Sequence, residues 1–150
     1  MNQLIQENKD LNIDENVLKK GINREGNTVQ YKLGSSLRIE DFVLTAFTKF
    51  NDKNMAHLSM YEYLNFLLYF WNEINRVHAS TPVYVPVFGS GITRFKNGFE
   101  DIDDNELLEI MIWTFKVSKI KFKYPAKLTI VIHEKKIDKM DIFKLKEMEK

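Results

Sequence analysis

The feature that most restricts how this chain can fold is the run "VYVPVF" (Val83 to Phe88), set between two long segments of helical periodicity. It is apolar throughout, the pattern of a central strand covered on both faces. The segment before it, "SMYEYLNFLLYFWNEINRVH", opens with Ser59 and Glu62 at the spacing of a capping box. Leu64, Leu67, Leu68, Trp71, Ile74 and His78 then recur at helical spacing. Tyr63, Phe66 and Phe70 broaden that stripe, which predicts contacts on more than one side of the helix. After the strand comes "NELLEIMIWTFKVSKI" (Asn105 to Ile120), with Asp103 or Asp104 as its cap. Its apolar residues nearly circle the axis, which predicts heavy burial.

The flanking segments extend the alternation. "TVQYKLGSSLRI" (Thr28 to Ile39) reads as a strand interrupted by Gly34, and "FVLTAFTKF" (Phe42 to Phe50) as a second strand across an "ED" turn. Together they predict an antiparallel hairpin. "KLTIVIH" (Lys127 to His133) is a further strand and "KMDIFKLKEME" (Lys139 to Glu149) a closing amphipathic helix. This order is α/β, with the last three strands expected to be parallel. Residues 1–27 are polar and Asn-rich, and read as a flexible arm with one short helix near Glu15 to Lys20, ended by the turn signal "NREGN". The domain is therefore expected over residues 28–150.

Composition narrows the function classes. A chain of 150 residues that is 44% hydrophobic has one domain's length and enough apolar mass for a core. With 22 basic against 21 acidic residues, it lacks the net basic surface on which nucleic-acid binding leans. The absence of cysteine excludes disulfides and thiolate metal sites. The longest apolar run, "FLLYFW" (Phe66 to Trp71), is far below the ~20 residues that a membrane helix needs. The start shows no basic-then-apolar leader. These features predict a soluble, cytoplasmic chain.

The chemistry concentrates in "GSGITR" (Gly89 to Arg94), directly after the expected central strand. Ligands of open α/β sheets sit outside the carboxyl ends of the strands. Gly89 and Gly91 can take positive φ and bring backbone N–H groups against an anion, with Ser90 and Thr93 as hydroxyl donors and Arg94 as a charged one. The spacing is neither GxGxxG nor a P-loop. An ordinary glycine turn, with Arg94 paired to Asp101 or Asp103, fits the same residues. Gly34 and Ser35 form a second small-residue kink, either a β-bulge or another backbone approach to the ligand. Phe47 and Thr48 end the following strand, where Phe47 could wall a pocket or sit in the core. No catalytic set emerges. His57, His78 and His133 share no metal-ligand spacing, Ser90 has no partner that spacing identifies, and "DIDDNE" reads as a helix N-terminus. No cofactor and no metal are expected.

Beyond these local readings, "YKLGSSLRI", "FVLTAFTKFN", "YLNFLLYFWNEINRV", "VYVPVFGSGITRF", "NELLEIMIWTFKVS" and "KLTIVI" together resemble the macro-domain-like module of Thoeris antiphage defence effectors. The resemblance covers about Tyr31 to Lys146. It implies a macro-like mixed sheet flanked by helices and an ADP-ribose-type ligand whose diphosphate is cradled by Gly89, Ser90, Gly91, Ile92 and Thr93. Arg94 would be a neighbouring support, and Gly34, Ser35, Phe47 and Thr48 would lie at a second rim. It further implies a TIR-domain enzyme as source of the signal, a membrane role only through a segment not present in this sequence, and room for homo-oligomerisation. The family's module opens with an extra strand and an Asn-containing loop ahead of the region matched by Tyr31, whereas residues 1–27 carry no apolar strand of that type. Two other functions follow from the same resemblance: an ADP-ribosyl hydrolase, for which no catalytic Asn can be placed, and a macro fold kept for protein contacts alone.

Overall fold

The computed structural model describes residues 23–25 and 28–149, with side chains over residues 31–148. The short helix expected near Glu15 to Lys20, and most of the expected arm, lie outside the described residues. Residues 23–30 contribute β1 (Asn23–Glu25) and β2 (Thr28–Gln30), paired antiparallel with Arg24 opposite Val29.

Two helices organise the rest. Helix α1 (Met60–Val77) starts at Ser59, whose hydroxyl accepts from the Glu62 amide while the Glu62 carboxylate accepts from the Ser59 amide. This is the capping box that the sequence predicts, and it satisfies two otherwise orphaned donors. Tyr63, Phe66, Leu67, Phe70, Trp71 and Ile74 are buried along it. Helix α2 (Asp104–Ser118) begins with a second capping box, between Asp103 and Glu106. Its buried face is Leu107, Leu108, Met111 and Thr114, packed on α1. The expectation of burial all round α2 fails, because Trp113 and Val117 are about half exposed.

The strands form small sheets of both senses, giving the expected α/β architecture with helices at the flanks. β3 (Ser36–Ile39) and β4 (Phe42–Thr45) make the predicted antiparallel hairpin across Glu40 and Asp41. β5 (Lys49–Phe50) pairs antiparallel with β6 (Ala56–Ser59), which runs straight into α1 and also pairs in parallel with β8 (Arg94–Lys96). β7 (Val83–Pro86) and β9 (Leu128–Val131) are parallel partners. Short helices α3 (Glu134–Ile137) and α4 (Ile142–Glu149) close the chain.

Three strand expectations are corrected. Thr28 to Ile39 is two strands in two sheets, and Gly34 sits in the turn between them. The Gly34 amide donates to the Ala46 carbonyl at 2.7 Å and the Ala46 amide to the Ser35 carbonyl at 3.0 Å, so Gly34 and Ser35 together oppose Ala46 as a β-bulge does. At φ +90, a Cβ on Gly34 would lie 2.9 Å from the Phe66 carbonyl oxygen, so glycine here lets the turn lie against α1. Among the described residues β4 pairs with β3 alone, so it does not join β7 and β9 in one parallel run.

β7 is also not covered on both faces. Val83, Val85 and Val87 point inward, while Tyr84 is 69% exposed and Pro86 lies outward. One edge of β7 meets β9, and the Val83 amide donates to the Lys127 carbonyl. Because strand residues alternate sides, the Tyr84 amide points to the opposite edge, and Pro86 has no amide to offer there. That edge borders a groove of about 560 Å³, walled on its far side by Val43 and Thr45 of β4 and floored by Phe70 and Ile74 of α1.

Candidate functional site

The strand end that leads into "GSGITR" is fixed from two helices. The Tyr63 hydroxyl of α1 donates to the Phe88 carbonyl at 2.9 Å, and the Phe88 amide approaches the Met111 sulfur of α2 at 3.4 Å. Tyr63 is fully buried, and burial pushes its phenol well above the ordinary value, so it stays a neutral donor. The Phe88 ring packs against Phe47, Phe66 and Phe70 with centroids 4.9 to 5.4 Å apart. The loop thus leaves a rigid aromatic platform.

Two glycines then shape the turn. Gly89 has φ +88, and a Cβ on it would meet the Phe95 ring at 2.8 Å. Gly91 has φ +130 and open space around it. The Ser90 amide closes the turn on the Val87 carbonyl at 3.3 Å. The amides of Gly91, Ile92 and Thr93 take part in no hydrogen bond among the described residues, and Ile92 is 85% exposed. Successive free N–H groups in a glycine turn make an anion-binding concavity.

One charged cluster touches this loop. The Lys136 ammonium, on α3, donates to the Ser90 hydroxyl and pairs with the Asp104 carboxylate at 2.8 Å. Asp104 opens α2, whose Leu107 also lies under Gly89. Partial burial raises the Asp104 carboxyl. Hydrogen bonds from Lys136 and Ser90, with the Lys136 charge, outweigh that and hold it below its ordinary value. An ammonium can only donate, so within this cluster the Ser90 hydroxyl donates to the Asp104 carboxylate, which its ion pair with Lys136 and its lowered pKa make a weak base.

The remaining predicted positions scatter. Arg94 lies exposed on β8 opposite His57, and no ion pair joins it to Asp101 or Asp103. Gly34 packs on α1, and Ser35 is 2% exposed with its hydroxyl unpartnered. Phe47 belongs to the aromatic platform, through Phe66 at 4.8 Å and Tyr63 at 6.3 Å. Thr48 is half-buried beside it. The loop residues Gly89 to Thr93 stand together, with Phe47 one ring away across Phe88. The contacts of Tyr63, Asp104 and Lys136 with this segment are not legible in the sequence, where Tyr63 reads as part of a helix stripe and Asp104 as a cap. Lys136 lies 46 residues beyond Ser90, and no local pattern marks a contact of that range.

Among the described residues no group of three or more His, Asp or Glu side chains could hold a metal ion. His78 and His133 each use Nδ1 to accept a neighbouring backbone amide, of Ser80 and Lys135. No described helix is long and apolar enough to cross a membrane.

The sequence matches the family described as "Thoeris protein ThsA, Macro domain" over residues 1–133. It is 44% identical, over all 150 of its residues, to the Thoeris protein ThsA of Bacillus amyloliquefaciens (strain Y2). The chain spans 49% of that protein's length. The match begins at residue 1, ahead of the Tyr31 at which the sequence resemblance starts.

Proposed function

This chain belongs to the macro-domain family of Thoeris protein ThsA, and we propose that its Gly89–Thr93 loop binds the diphosphate of an ADP-ribose-type nucleotide. The observation that carries this reading is the run of amides of Gly91, Ile92 and Thr93, unpartnered among the described residues and held at the carboxyl end of strand β7, which is buried on one face. Free amides cost nothing to expose to water and gain two or three charge-assisted bonds when an anion arrives. Apart from the Asp104 carboxylate, which accepts from Ser90 and Lys136, the groups that touch the loop from the side are donors or fixed walls, which suits capture of a ligand better than cleavage of one. We take the ligand to be a signal made by a TIR-domain enzyme in an antiphage response, with this domain as its sensor.

Calorimetry with ADP-ribose and its amino-acid adducts tests the reading, on wild type and Gly91→Trp. Gly91 borders open space, so the indole fills the anion site without displacing the core. Positive φ at Gly91 strains the variant by about 1–3 kcal/mol, which a melting curve reads separately. Binding by wild type and a loss of at least about tenfold, or 1.4 kcal/mol, in the variant is expected. Absence of heat with any of these nucleotides removes the sensor reading.

A further inference from the structure

We propose that Lys136 supplies the cationic contact to the anion held by the Gly89–Thr93 loop, and that the Asp104 carboxylate is the counter-ion stationed there when the loop is empty. The inference rests on the nucleotide reading above and assigns a residue to it that lies outside the loop. Its basis is geometric. The Lys136 ammonium reaches the loop itself, at the Ser90 hydroxyl, and its second partner is Asp104 at 2.8 Å. Arg94, the cation adjacent in sequence, sits exposed on β8 with no ion pair among the described residues. A lysine has three N–H donors, and Ser90 and Asp104 account for two. The third is available to a phosphate oxygen lying beside Ser90.

The two charges should therefore act on a diphosphate with opposite signs. Lys136 attracts it, and Asp104 both repels it and competes for the same ammonium. A lysine kept only to tie α3 to the start of α2 would give no such opposition, since loss of either partner breaks the same tie.

The experiment is calorimetry with ADP-ribose at several salt concentrations on wild type, Lys136→Met, Lys136→Arg and Asp104→Asn. Lys136→Met should weaken binding roughly tenfold and flatten its salt dependence, because one charge-assisted contact is lost. Lys136→Arg should retain most of the affinity. Asp104→Asn should bind as tightly as wild type or more so. Wild-type binding that Lys136→Met leaves unchanged overturns the inference while the loop reading stands. Equal weakening by Lys136→Met and Asp104→Asn overturns it too, in favour of a structural tie. No heat from wild type overturns both readings together. Melting temperatures of the four proteins identify any variant that has lost its fold, and for that case Lys136→Gln replaces Lys136→Met.

Discussion

Thr114 shows how a single hydroxyl can hold two helices in register. Fully buried on α2, it accepts from the Trp71 indole at 3.0 Å and donates back to the Ile110 carbonyl at 2.8 Å. Thr114→Val keeps the shape and removes the acceptor, leaving the indole N–H buried without a partner. A loss of about 1–3 kcal/mol is expected from urea unfolding, with Thr114→Ser recovering the polar part. Individual residues were also where sequence reading was weakest. The glycines of the loop announce themselves, because only they take such φ values at no cost. Lys136 does not, since one lysine among many gains its meaning from a fold that brings position 136 to position 90. Gly34 was legible as special, and the bulge expected there is present opposite Ala46, but its close packing on α1 has no signature in the local sequence.

At the level of elements, legibility follows the range of the interactions. Both long helices and both caps were readable, because a capping box closes within four residues and a helical stripe repeats every turn. The strand β7 was misread for a local reason. Its "VYVPV" does alternate, but tyrosine and proline count as apolar and conceal the period. β6 and β8 are short and their paired residues lie 37 positions apart, so nothing nearby marks them. The first turn of α1 also carries a pH dependence. Burial raises the Glu62 carboxyl, yet hydrogen bonds from Lys49 and Ser59 leave it below its ordinary value, and Asp104 at the start of α2 behaves alike. Each therefore binds a proton more readily in the unfolded chain. Their contribution is full above the ordinary carboxylate range and is lost as pH falls through the lowered values, below about pH 4. Urea midpoints measured from pH 6 downward should fall across that window, and Glu62→Gln should flatten the fall.

The molecule as a whole is an aromatic core around α1 with sheets that stop short of one another. Among the described residues β3–β4 and β7–β9 present unpaired edges to the same groove, an arrangement that pairwise sequence patterns do not encode. Residues 36 and 45 lie opposite each other with their hydroxyls 2.9 Å apart, and the bonded pair Ser35–Ala46 precedes them. The alternation of an antiparallel ladder then turns the amides of Thr45 and Val43 toward the groove, as β7 turns that of Tyr84. Among the described residues these three protons have no acceptor, although Val43 and Thr45 are half-buried. In deuterated water they should exchange at close to the rate of an unfolded peptide, while the Leu44 amide between them is retained far longer. Exchange by mass spectrometry or NMR checks this directly. The groove thereby becomes a clock, and slowed exchange at Val43, Thr45 and Tyr84 together would date the arrival of an extended chain between the two sheets.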